Sequence, residues 1–172
     1  ASTALKTDGT LWAMGRNNYG TLGQNDRTER SSPVQIGTGT DWASISGENR
    51  VVLGIKNDGT MWGWGSNTAG ALAQNQSPGN PGGGGGRSSP IQIPGAWSIG
   101  KPYENGSTAA IKTDGTLWAW GRNYRGCLGL NQLGAPPNDV PAVYSSPVQV
   151  GTDTNWADVI GGKSRVAAFR SS

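Results

Sequence analysis

The sequence predicts an all-β fold made of a repeated unit of four short strands, and three observations carry that reading. The first is repetition, the signature of repeat architectures. "KTDGTLWAMGRNNYGTLGQN" from Lys6 returns as "KNDGTMWGWGSNTAGALAQN" from Lys56 and "KTDGTLWAWGRNYRGCLGLN" from Lys112. Each copy is followed by "SSPVQIG", "SSPIQIP" or "SSPVQVG", and then by "DWASISG", "AWSIG" or "NWADVIGG". The second is turn chemistry. Asp8-Gly9, Asp58-Gly59 and Asp114-Gly115 each separate two alternating segments, the pattern of a two-residue type I′ hairpin in which both central residues take positive φ. The third is the lack of any sustained apolar spacing at i, i+3, i+4, which speaks against helices.

The elements follow in order. "TALK", "VLGIK" and "AAIK" enter the hairpins, and "TLWAMG", "TMWGWG" and "TLWAWG" leave them. "PVQI" and its sisters form a third strand that starts at proline, a tolerated position. "WASIS" and its sisters form a fourth. The chain reads as one domain, 1–172, with repeats at about 1–50, 51–106 and 107–164 and a strand "RVAAF", Arg165–Phe169, that restarts a fourth. Along the second strand, Trp62 and Trp64 share one face, as do Trp118 and Trp120, and Trp12 and Met14. The residues between them, Ala13, Gly63 and Ala119, are small. Bulky faces can therefore stack on shallow ones at close-packed density, as in the blades of a β-propeller.

Composition narrows the function. Glycine and proline supply 39 of the 172 residues, but eight tryptophans argue against a disordered chain. The net charge is +3 and the basic residues are scattered singly in the sequence, so nothing in it marks a nucleic-acid face. No apolar run approaches the roughly 20 residues of a membrane-spanning helix. There is no histidine and one cysteine, which removes internal disulfides and the commonest metal and acid–base ligands. No signal peptide is visible, and the first residue is Ala1.

Four-stranded repeats built on "TDGTLWAWGRN", "GxLG" and "SSPVQV" resemble the regulator of chromosome condensation family. The wording "TDGTLWAWG" is most similar to that of bacterial and bacteriophage members. The resemblance implies a β-propeller, usually of seven blades, that acts as a binding or structural module. Its members bind partners as different as a small GTPase and nucleosomes, β-lactamases and components of phage virions. One departure is local: "SGENRVV", "ENGSTAA" and "GGKSRVA" lack the histidine that family repeats often carry before the first strand. Another is the count. Three four-stranded blades make an arc with two bare ends, whereas propellers typically close with four to eight. The arc is then the C-terminal part of a larger propeller, one of several copies that complete a ring, or an open, capped structure. The ending "FRSS" reads as a natural C-terminus whose last strand joins a neighbouring blade.

Candidate contacts lie in the loops that vary most between repeats: 24–30, 74–87 and 130–144. Insertions in repeat proteins gather on one face, often the binding face. Asp26, Arg27, Glu29, Arg30, Arg87, Asn138, Asp139 and Tyr144 are the candidate partner-binding residues; tolerated surface variation is the competing reading. The run "PGNPGGGGGR" contains G-x-G-x-x-G trivially and lacks the strand, helix and lysine of a phosphate loop. Asp8, Asp58 and Asp114 belong to turns and the other carboxylates form no paired spacing, so no catalytic residue, metal or cofactor is expected. Cys127, which aligns with Thr21 and Ala71, reads as a small filler. The tryptophans follow the repeat register and read as core rather than as the light-sensing set of the family's UV-B photoreceptor. "NQS" at Asn75 and "NGS" at Asn105 match glycosylation sequons, which matter only in a eukaryotic secretory setting.

The expectation is a non-enzymatic module at a bacterial or phage surface, such as a tail or fibre component. It would assemble with other protein chains and meet a host surface receptor, outside the cell or on a virion, with neither nucleic acid nor membrane insertion. The alternative is a regulator or inhibitor that docks its loop face onto an enzyme or small GTPase.

Overall fold

A computed structural model describes residues 1–48, 50–75, 86–103, 106–131, 143–162 and 165–170. Among them the chain forms antiparallel strands and two single-turn 3-10 helices, Thr68–Gly70 and Tyr124–Gly126. The strands are β1 (Ser2–Leu5), β2 (Leu11–Gly15), β3 (Arg30–Gln35), β4 (Trp42–Glu48), β5 (Val51–Lys56), β6 (Met61–Gly65), β7 (Arg87–Ile93), β8 (Trp97–Pro102), β9 (Ser107–Lys112), β10 (Leu117–Arg122), β11 (Val143–Gln149), β12 (Trp156–Gly162) and β13 (Arg165–Arg170).

The all-β expectation holds, but the strands do not divide into three sheets of four. The sheet orders are β1-β2-β3, β4-β5-β6-β7, β8-β9-β10-β11 and β12-β13. Two sheets are complete blades and two are partial. The reason is where the fourth strand of each sequence repeat finds its partner. "WASIS" in β4 pairs with β5 of the next repeat, from Trp42↔Lys56 to Glu48↔Val51. β8 and β12 pair forward in the same way, with β9 and β13. Structural blades are therefore displaced by one strand from the sequence repeats.

The hairpins also differ from a type I′ turn. Gly9, Gly59 and Gly115 have φ of 78°, 80° and 79°, but the aspartates before them are not in the positive region. Gly9 N–H donates to Lys6 O and Lys6 N–H to Thr10 O. This is the three-residue loop in which a type I turn is followed by a left-handed glycine. Only the glycine needs positive φ, and the aspartate serves through its side chain.

The third strands begin earlier than proline. Pro33 lies inside β3, and Pro90 and Pro147 inside β7 and β11. All three are outer strands of their sheets, where a missing N–H breaks no ladder. Each lies beside a register shift between Ala13 and Gly15, Gly63 and Gly65, or Ala119 and Gly121.

The core lies between sheets. Trp64 is fully buried against Leu11 and Ala13 of β2, Leu22 of the β2–β3 connection and Ile36 just after β3. Trp120 is fully buried in the cluster holding Leu53, Met61 and Ile93 of the second. Bulky face on shallow face is the stacking that the tryptophan spacing predicts.

Candidate protein-binding face

The strands run between two ends with different chemistry. At the turn end, one relay is built three times. The Asp8 carboxylate accepts from the Thr10 N–H at 2.9 Å and the Thr10 hydroxyl at 2.6 Å. Thr10 Oγ1 in turn accepts from the Trp12 indole N–H at 2.9 Å. Asp58, Thr60 and Trp62 repeat this, as do Asp114, Thr116 and Trp118. The threonine hydroxyl, then its N–H, holds each aspartate below the usual carboxylate range. Lys6 lies 4.0 Å from the Trp12 ring and Lys112 3.7 Å from that of Trp118, capping the indoles by cation–π contact.

At the loop end, the "RN…GxLG" block is a frame. Asn17 Oδ1 accepts from Leu22 N–H, as Asn67 does from Leu72 and Asn123 from Leu128. The frame clamps the following blade. Trp64 Nε1 donates to Thr21 O at 3.0 Å, and Trp120 Nε1 to Ala71 O at 2.9 Å. Asn25 N–H donates to Ser88 O, and Asn75 N–H to Ser145 O. Gly70 has φ of 74°, and a Cβ there would come within 2.8 Å of Ser145 Cα, so glycine permits the approach. The "SSP" blocks are thus the surfaces on which the preceding loops rest. Cys127 occupies the place of Thr21: its Sγ contacts Arg122 O as Thr21 Oγ1 contacts Arg16 O.

The candidate residues separate within this end. Asp26 is a strut of the first loop. It accepts from Thr28 N–H and the Asn17 amide and bonds Arg30 at 2.6 Å, and the Thr28 bond leads in holding its carboxyl low. Arg30 is occupied in that pair. Tyr144 packs against the core beside Trp120, and Arg87 pairs with Gly65 at the start of β7. Arg27 and Glu29 are exposed, with Glu29 3.9 Å from Arg16. Asn138 and Asp139 lie outside the described residues, as does most of the glycine run, 76–85.

The fold gathers what the sequence scatters. Arg16, Arg27, Arg30, Arg50, Arg87, Arg122 and Arg125 all lie at the loop end, whereas Asp26, Glu29 and Glu48 are its described acids there. The turn end carries Lys6, Lys56, Lys112 and Arg170 against Asp8, Asp41, Asp58, Asp114 and Asp153. Arg50 stacks on Tyr19 at 4.2 Å and Arg125 on Tyr124 at 5.1 Å. Sequence spacing could not show this, because the loops meet only after the blades stack.

A cleft of about 290 Å³ opens at the same end, lined by Ser46–Glu48, Lys101–Tyr103 and Ile160–Gly161. It lies where β4, β8 and β12 end. Lys101 pairs with Asp158 at 3.0 Å, and this bond leads in lowering the Asp158 pKa. Tyr103 is buried, 6% exposed, and its hydroxyl has no hydrogen-bond partner among the described residues. Burial, then the Asp158 charge, pushes its pKa up to about 12. The sequence reading missed Glu48, Lys101 and Tyr103, which lie in three separate segments with no shared motif. Among the described residues, no group of three or more metal-ligating side chains occurs, and no helix is long and apolar enough to cross a membrane.

Comparison with known proteins agrees with this architecture. Prp20p from Saccharomyces cerevisiae superposes with a TM-score of 0.73 at 16% identity, over 99% of this chain and 42% of that one. That protein's structure was described with its binding properties to Gsp1p and histones. Yeast RCC1 (Prp20), in a structure with Kap60 bound, gives 0.70 at 15% identity, over 99% and 40%. Human WBSCR16 gives 0.51 at 19%, over 99% and 55%. The chain thus spans about two fifths of the yeast protein's length, and at these identities the likeness is one of fold. No curated protein sequence matches it. The regulator of chromosome condensation (RCC1) repeat matches residues 8–52 and 114–169, more than half of the sequence, and the chain belongs to that family.

Proposed function

We propose that this chain is an arc of a β-propeller that binds protein partners through its arginine-rich loop end and performs no chemistry of its own. The observation that carries the reading is the convergence of seven arginines on one end of a rigid scaffold. Arginine is the side chain best suited to interface ion pairs and stacking, and a basic face steers an acidic partner. The partial sheets support completion by further blades, from a longer chain or from other subunits. The third blade already holds the clamp geometry: Asn131 has φ of 53°, matching Asn25 at 60° and Asn75 at 50°, the residues that bond the next blade's serine.

Within this reading we place the module at a bacterial or phage surface, on the strength of the repeat wording. The alternative, a regulator docked on an enzyme or GTPase, draws support from the description of Prp20p with Gsp1p. The test is charge reversal at exposed loop-end positions, Arg16→Glu, Arg27→Glu and Arg125→Glu together. Proteins retained by the immobilised chain should fall away in the triple variant and at raised salt, while self-association persists. An unchanged set of retained proteins would sink the reading. Binding of a 30-base-pair duplex, lost in the same variant, would reassign the face to nucleic acid.

A further inference from the structure

We infer that the cleft between the ends of β4, β8 and β12 receives one basic side chain, lysine or arginine, of a partner polypeptide, with Glu48 meeting its cation and Tyr103 its backbone carbonyl. The inference rests on the docking reading above and names what one pocket on that face selects.

Size comes first. Drug-sized ligands occupy clefts of roughly 300–1,000 Å³; at about 290 Å³ this one suits a single side chain. Charge comes next. Lys101 is held by Asp158, which leaves Glu48 as an exposed carboxylate with no ion pair among the described residues. Asp158 lies outside the lining but neutralises Lys101 beside it, so the three described charges at the cleft, Glu48, Lys101 and Asp158, sum to −1 within an otherwise basic end. A negative spot in a positive field fixes the register of a bound partner. The walls match a long stem. Pro102 is buried, and Ile160 is 47% exposed at the lip, so methylenes can lie on apolar surface while the head stays polar.

The Tyr103 hydroxyl is an independent observation. Buried polar groups nearly always have a partner, and one without calls for an explanation. Its raised pKa keeps the proton on oxygen throughout the physiological range, so it remains a donor, and a peptide carbonyl would supply the acceptor it does not have among the described residues.

The probe is Nα-acetyl-arginine N-methylamide, which carries both a guanidinium and peptide carbonyls. Agmatine has the guanidinium without the carbonyl, and acetate is the anionic control. In a titration followed by NMR, the probe should shift Ser46, Glu48, Lys101, Tyr103 and Ile160 saturably, and acetate should not. Glu48→Gln should abolish the shifts. Tyr103→Phe should weaken the probe by about two- to tenfold and leave agmatine unchanged. Ile160→Lys, at an exposed position that tolerates the change, should block both and serves if Tyr103→Phe fails to fold. No saturable shift, shifts indifferent to Glu48→Gln, or preferential acetate binding would overturn the inference. The arginine reversals lie outside the cleft lining, so loss of partners there with probe binding intact tests the docking reading separately.

Discussion

The two ends of the strands teach different lessons from the same repeats. At the turn end, Asp-Gly-Thr-x-Trp recurs three times with hydrogen bonds that agree within about 0.2 Å. At the loop end, the frame recurs, but the residues it carries differ in length, charge and size. Identical chemistry in every copy is what a scaffold needs, since each blade has the same packing problem. Divergence on a fixed frame gives each loop its own surface. In repeat proteins the recurring letters build each unit, and insertions between them collect as loops on one face, often the binding face.

The frame offers the sharpest way to break this contrast. Trp64 is fully buried between two sheets and bonds Thr21 O. Trp64→Ala should cost about 3–5 kcal/mol, read as a fall in the denaturant midpoint. Trp64→Phe should cost less, because it keeps most of the burial and orphans one carbonyl. Should both variants unfold at the wild-type midpoint, the blades do not depend on this contact. Asn67→Ala should come next. It removes the acceptor for the buried Leu72 N–H, at about 1–3 kcal/mol for an unsatisfied buried donor.

Sequence reasoning reached the frame through its letters and missed part of its wiring. Strand identity, the role of the turn glycines and the tryptophan stacking were legible because they depend on spacing within one repeat. The blade boundaries were not. "WASIS" carries no mark that its partner is "VVLGIK" ahead of it rather than "PVQI" behind it, and only the ladder from Trp42 to Glu48 decides. The turn type was misread for a related reason. Asp-Gly is compatible with two loops, and the hydroxyl two positions on, Thr10, selects the one in which aspartate acts as a side-chain acceptor. The site was least legible of all. Asp26 and Arg30, both candidate contact residues, pair with each other at 2.6 Å, a link their spacing did not announce, while Glu48, Lys101 and Tyr103 of the cleft come from segments with no loop signal.

The smallest expected effect belongs to the turn end and is one of pH. The aspartate pKa values are lowered in the folded chain, so folding favours the ionised form. Stability from these groups is complete above the ordinary value of 3.8 and is lost as the pH falls through the lower folded values. The aspartates are solvent-exposed, so the slope should be shallow. Replacing Asp8, Asp58 and Asp114 together by Asn should reduce stability at neutral pH and flatten its decline in acid, measured by chemical denaturation at pH 2–7. Glu29→Gln, at the loop end and 3.9 Å from Arg16, should leave that curve unchanged, because an exposed pair at such a distance contributes little. If the two variants altered the acid limb equally, the relays would not be the coupling, and the assignment of structure to one end and recognition to the other would lose its electrostatic support.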